Sequence, residues 1–318
     1  MTPQSEILVD CHGIRIDESE VTVVINGVTW RFVLDVVAKR WMQFHFGLFA
    51  NTAVHSPAMH HYPRERRLCG LFESPIHNCY ANVDRLIRDF PLIFTHQRCL
   101  LERGPPFVEL MFGTNWVDVR TSDDSKNVLD VHPPKDRLVS FIGSVSHPQT
   151  GAYALRQQVS EHLLRRGDVD CFGKGVREIQ NKRVALAPYW FSVAMENAAS
   201  DCYFTEKLVD CLLMETVPIY YGCPGIESAF DGDGLLPFRT IDELDRILNG
   251  LTPDRYESML PALLRNKVRA IERNWHSHRG LLSRIADLTA ESLIPPDQRL
   301  LPVRGGLWRR LTSFVSAV

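Results

Sequence analysis

The 318-residue sequence lacks several features that would fix a function class early. No stretch of about 18 apolar residues runs unbroken, so no membrane-crossing helix is predicted. Met1 to Asp10 shows no basic segment followed by an apolar one, so a cytoplasmic protein is expected. Eight cysteines, Cys11, Cys69, Cys79, Cys99, Cys171, Cys202, Cys211 and Cys223, form no Cys-x-x-Cys pair and have no histidine pairs at zinc-finger distance. Most of them read as reduced thiols packed as small apolar residues. The formal charge is −2 and the pI about 6.6, without any long basic run, which excludes nucleic acid as an expected partner. Repeats and low-complexity tracts are also missing.

What is present is enough apolar sequence, 45% of residues against 23% charged, to bury a full core. The length favours two domains. Glu20 to Val37 alternates apolar and polar residues around Asn26-Gly27, the pair that most often closes a two-residue hairpin. Arg67 to Phe72 reads as a strand, Asn82 to Asp89 as a helix and Pro91 to Thr95 as a buried strand, the order of a layered α/β domain. Between Asp118 and Arg137 the composition turns to Ser, Asp and Lys with Pro133-Pro134, which predicts a linker and a domain boundary. Beyond it, strands at Leu138 to Ile142, Val169 to Phe172, Phe191 to Met195 and Val217 to Tyr221 alternate with helices at Tyr153 to Arg165 and Thr205 to Met214. Such alternation predicts a doubly wound parallel sheet that binds ligands at its carboxyl edge. Asp254 to Leu288 carries a helical stripe through Tyr256, Met259, Leu260, Leu263 and Leu264.

Thr205 is placed to cap the helix it precedes, with Glu206 and Lys207 in the first turn. A helix start of this kind attracts anions, and Lys207 adds a full charge beside it. Phe204, Leu208, Cys211 and Leu212 recur at helical spacing and would bury one face, leaving Tyr203 and Lys207 on another; spacing alone favours a plain amphipathic helix with a solvated Glu-Lys pair. Arg156 lies in the first turns of the helix after Gly143, where a guanidinium can fork across phosphate oxygens or sit on an ordinary surface. Asp168-Val169-Asp170 has the Asp-x-Asp form of a metal-diphosphate site, but it opens a strand leading to Phe172-Gly173-Lys174-Gly175 and reads as a strand edge without metal.

Taken together, Tyr189 to Ile226 (YWFSVAMENAASDCYFTEKLVDCLLMETVPIYYGCPGI) closely resembles the donor-binding region of the family 10 glycosyltransferases, the α-1,3/1,4-fucosyltransferases. The resemblance continues back through Leu138 to Gly175 and touches Phe72-Glu73-Ser74-Pro75 and Phe94-Thr95-His96. It implies a GT-B fold, two Rossmann-like domains facing across a cleft: an acceptor-side domain over 1–130, a nucleotide-sugar domain over 137–290 and a tail over 291–318. It also implies an inverting transferase that moves L-fucose from GDP-fucose to a glycan hydroxyl, with no cofactor and no essential divalent metal. Asn197 and Tyr203 would touch the diphosphate or sugar, Glu206 the ribose hydroxyls, and Arg156 and Lys207 the phosphates; Glu196 matches the donor motif as well. Glu73, in the family's Glu-Ser-Pro segment, would be the catalytic base; its ordinary alternative is a turn cap or a pairing with Arg67. His77 and His96 are acceptor-side neighbours by the same analogy. The family's animal members carry an N-terminal anchor and stem, so a bacterial-type member or an excised catalytic domain is expected.

Two other function classes compete: a transferase of the same fold using another nucleotide sugar, and a catalytically silent protein that binds a nucleotide or glycan. Joint retention of Glu73, Arg156, Tyr203, Glu206 and Lys207 favours the enzyme. The expected acceptor is an oligosaccharide or a lipid-linked glycan. In Arg304 to Val318, Leu307, Trp308, Leu311, Phe314, Val315 and Val318 fall on one helical face beside Arg309 and Arg310. Such a face fits peripheral membrane contact or packing on the protein body.

Overall fold

The computed structural model describes residues 6–14, 16, 18–74, 77–117, 128–143, 152–294 and 300–304. They form two compact units, Met1–Leu110 with His278–Val318, and Met111–Ser277.

The first unit is built on β1 (Glu6–His12), β2 (Glu20–Ile25), β3 (Val28–Val33), β5 (Phe46–Ala50), β6 (Arg67–Leu71), β7 (Leu92–Thr95) and β8 (Phe107–Glu109); a two-residue β4 (Gln43–Phe44) lies outside this sheet. Their order is β2-β3-β1-β5-β6-β7-β8, parallel throughout except where β2 meets β3. The β2–β3 turn is the predicted Asn26-Gly27 pair, with φ of 50° and 78°, the two positive values that a type I′ turn requires. Strand order reverses about β1, and in open α/β sheets the carboxyl edge at such a reversal is where ligands are generally taken. Glu73 follows β6 and His96 follows β7 at that edge. Helix α1 (Val83–Asp89) starts at Asn82, whose side chain accepts from the Arg85 N–H, and α2 (Arg98–Leu101) is a single turn.

The second unit holds a fully parallel five-stranded sheet of β9 (Arg137–Ile142), β10 (Asp170–Phe172), β11 (Tyr189–Met195), β12 (Val217–Tyr221) and β13 (Leu236–Pro237), ordered β10-β9-β11-β12-β13. Its helices are α3 (Ala152–Arg166), α4 (Arg183–Leu186), α5 (Glu206–Leu213), α6 (Ile241–Asn249) and α7 (Pro253–Glu272). Helix α5 packs on β11, β12 and α7, so it is buried almost all round and not on one face as its spacing predicts. Just before it, Phe204, Phe230 and Trp275 meet edge to face at 5.2–5.3 Å, which pins the approach of the chain to the helix start.

The predicted domain limits shift at both ends. Gly113 and Thr114 donate their N–H groups to the Trp275 carbonyl, and Lys267, almost fully buried, donates to the Val131 carbonyl at 2.7 Å and pairs with Glu215 at 2.8 Å. Residues 111–117 and 128–137 are thereby tied into the second unit, while 118–127 lie outside the described residues. The helical stretch beginning at Asp254 is two helices, not one. It breaks at Asn274 (φ 56°), and α8 (His278–Leu293) returns to the first unit, against β2 and β7, burying Leu281, Leu282, Ile285 and Ala286. Apolar spacing shows that a helix buries a face but not which sheet receives it, so the expected limit at residue 290 moves to 277. Beyond α8, β14 (Val303–Arg304) pairs antiparallel with β4. The amphipathic pattern over 305–318 falls outside the described residues. Among the described residues no helix is long and apolar enough to cross a membrane.

Candidate active site

A pocket of about 340 Å³ opens in the second unit where β9, β10 and β11 end and α5 begins. Its wall includes Arg156, Asn197, Glu206 and Lys207, four of the six residues assigned to the donor from sequence. Arg156 donates to the Asn197 side-chain oxygen at 2.9 Å, so these two act as one polar pair. Asp168 and Asp170 do not share a partner: Asp168 is forked by Arg166 at 2.9 Å, and Asp170 accepts the Tyr189 hydroxyl at 2.7 Å.

The start of α5 is clamped from beneath. Glu196, directly after β11, is 0% exposed and accepts from the Thr205 N–H (2.8 Å) and the Thr205 hydroxyl (2.6 Å). Thr205 in turn caps the helix by accepting from the Lys207 N–H. Glu196, expected at the donor, is thus turned away from the pocket wall onto the cap, because its carboxylate is the nearest acceptor for two otherwise buried donors. Tyr203 is likewise buried, with its carbonyl accepting from Tyr220, and it does not line this pocket. Its predicted exposure beside Lys207 required the turn before Thr205 to be helical. Instead Cys202 sits at φ 61°, and the chain enters α5 from another direction.

The floor is backbone on backbone. Gly173 has φ of 122°, and a Cβ there would lie 2.0 Å from the Gly143 carbonyl oxygen, so the glycine at 173 lets two loop backbones meet under the pocket. The loop 144–151 between Gly143 and α3, read as part of the donor element, lies outside the described residues.

Charge in the pocket is unbalanced toward positive. Arg156, Lys174, Lys182 and Lys207 face two carboxylates, Glu206 and Asp210. Burial alone would raise the Glu206 pKa, but the Lys207 and Lys182 ammoniums and hydrogen bonds from Thr205 and Lys207 outweigh it and hold the carboxyl at about 2. Burial dominates at Asp210, 0% exposed, and lifts its pKa to about 6 despite Lys182. Lys182 and Asp210 escaped the sequence reading, which named Lys174 without giving it a role. Glu206 and Asp210 are four residues apart, a spacing that places both acids on one side of a helix and signals a cation opposite.

The low pKa of Glu206 predicts an acid-sensitive stability. A carboxyl depressed from 4.5 to about 2 stabilises the fold fully above pH 4.5 and loses that contribution as pH falls toward 2. Between pH 7 and pH 3 this single group accounts for about 2 kcal/mol. In urea unfolding, Glu206→Gln is expected to shrink the stability difference between these two pH values by that amount. An unchanged difference would show that Glu206 is not held ionised.

In the first unit, Glu73 carries a carboxylate that is 43% exposed, with His77 Nε2 3.7 Å from it. Its backbone carbonyl accepts from the Tyr80 hydroxyl (2.7 Å) and from His96 Nε2 (3.1 Å). His96 Nδ1 faces the Gln97 amide at 3.1 Å, a partner set that suits a neutral ring protonated on Nε2. Burial pushes the His96 pKa down to about 4, so the ring stays neutral and acts as a support for Glu73. The alternative partner of Glu73, Arg67, is spent on the Tyr62 and Asp89 carbonyls.

Residues 132–243 match the sequence profile of glycosyltransferase family 10 (fucosyltransferase), C-terminal part. An α-(1,3)-fucosyltransferase FucT of Helicobacter pylori is 32% identical over 68 residues, 20% of this chain and 14% of that protein. A GDP-fucose protein O-fucosyltransferase 3 of Danio rerio is 34% identical over 100 residues, 30% of this chain and 20% of that protein. The matched stretches therefore span a fifth or less of these relatives. A solved α1,3-fucosyltransferase with GDP has the same fold, with a TM-score of 0.52 and 14% identity over 86% of this chain and 91% of that one. The two parallel-sheet α/β units are those of the GT-B class.

Proposed function

We propose that this chain, whose residues 132–243 match glycosyltransferase family 10, transfers L-fucose from GDP-fucose to a hydroxyl of an oligosaccharide or lipid-linked glycan, with inversion at the anomeric carbon. The observation that carries this reading is the pocket at the start of α5, where Arg156, Asn197, Glu206 and Lys207 share one wall. Four cationic side chains against two carboxylates suit a dianionic diphosphate, and they supply the charge for which other transferases use a divalent ion. Lys207, Arg156 and Asn197 hold the diphosphate, Glu206 accepts hydrogen bonds from the ribose hydroxyls, and the positive end of α5 adds to the field.

Glu73 is the base in this scheme. It takes the proton of the acceptor hydroxyl as that oxygen bonds to the anomeric carbon. The bond from that carbon to the diphosphate breaks, and GDP leaves with its new charge on the cationic wall.

Calorimetric titration with GDP, UDP and ADP, followed by transfer assays with their sugars in the presence of EDTA, tests the reading. GDP is expected to bind at least about 10-fold more tightly than the others, corresponding to about 1.4 kcal/mol. Preference for UDP or ADP would replace fucose with another sugar and leave a transferase. Binding without turnover on any glycan acceptor would leave a silent nucleotide-binding protein.

A further inference from the structure

Glu206 and Asp210 stand one turn apart on α5, both buried, and like charges at this spacing repel. The cation that joins them is Lys182, the residue preceding α4. Its Nζ lies 3.3 Å from Glu206 Oε1 and 2.9 Å from Asp210 Oδ2. The other Asp210 oxygen, Oδ1, accepts the backbone N–H of Trp116 at 2.7 Å. The Trp116 indole, 60% exposed at the pocket rim, covers the ammonium with its centroid 4.6 Å away. Lys182 is therefore gripped on three sides by an anion at its back, a ring above and Glu206 in front.

We propose that Lys182 is a positioning residue for the nucleotide: anchored by Asp210 and Trp116, it holds the Glu206 carboxylate in the one orientation that receives the ribose hydroxyls. The inference rests on the reading above, in which Glu206 is the ribose acceptor. Lys207 also reaches Glu206 Oε1, at 3.2 Å, but it is shared with the Thr205 hydroxyl and with Glu196 in the helix-start clamp. Lys182 meets that clamp only through the Glu206 carboxylate and, among the described residues, bonds to neither Thr205 nor Glu196. Its partners are Glu206 and the two groups that fix Lys182 itself, so its effect falls on the aim of one carboxylate.

The test compares GDP with 2′,3′-dideoxy-GDP, which lacks both ribose hydroxyls, by calorimetry on the full chain. Wild type is expected to prefer GDP about 10-fold, the loss typical of a hydrogen bond to a charged group. In Lys182→Gln that preference is expected to fall below about 3-fold while affinity for the dideoxy nucleotide changes little. Asp210→Asn, which keeps Lys182 but removes its anchor, is expected to lower the preference in the same direction. A merely structural role would weaken both nucleotides alike and leave the ratio standing. A wild-type ratio of about 10 that persists in both variants overturns the role of Lys182 alone. A wild-type ratio near one overturns the ribose assignment of Glu206, and the positioning role with it.

Discussion

Glu73→Gln is expected to slow sugar transfer about 1000-fold while GDP affinity stays within about 2-fold of wild type, the behaviour of a lost general base. The glutamine keeps the shape and the hydrogen-bonding reach of the side chain but cannot accept the acceptor's proton. Local structure around the residue should survive, because the groups that fix it, the Tyr80 hydroxyl and the His96 ring, bond to its backbone carbonyl and not to its carboxylate. Steady-state kinetics with saturating donor, paired with GDP titration, separates the two quantities. Retention of more than about a tenth of wild-type turnover would remove Glu73 from the chemistry, since loss of a base costs at least about 100-fold.

Lys207→Met is expected to cost at least about 100-fold in kcat/KM, because in the proposed reaction the ammonium supports negative charge that grows as the diphosphate departs. A second consequence follows from its neighbours. Lys207 Nζ is 3.6 Å from Glu196, a fully buried carboxylate whose pKa burial already raises, so the substitution strips that carboxyl of its counter-charge. Stability should fall by about 1–3 kcal/mol, the usual penalty for an uncompensated buried polar group. The double variant Glu196→Gln, Lys207→Met relieves that burial and should recover thermal stability while activity stays low. If activity returned together with the melting temperature, Lys207 would be part of the helix clamp and nothing more.

Which of these residues could be found in advance depended on the range of the interaction. Thr205 as a cap, the Asn26-Gly27 turn and strands β9, β11 and β12 follow from neighbours within a few positions, so they were legible. Arg156, Asn197, Glu206 and Lys207 came from a motif, and the pocket gathers them. Glu196 and Tyr203 share that motif, yet they turn inward, because a sequence pattern does not tell a residue that touches a ligand from one that supports the residue touching it. Lys182 lies more than 20 positions from Glu206 and sits in no motif; only the packing of α4 beside α5 brings its ammonium between two carboxylates.

The order of residues alone determined the α/β class and the capped start of α5, since periodicity, turn chemistry and helix capping act over a few residues. Tertiary structure decided that α8 returns to the first sheet, that α5 is buried almost all round, and that Lys182 and Asp210 complete the pocket. Those outcomes turn on which surfaces meet and which buried charges then need a partner, and neither is written in the spacing of any one segment.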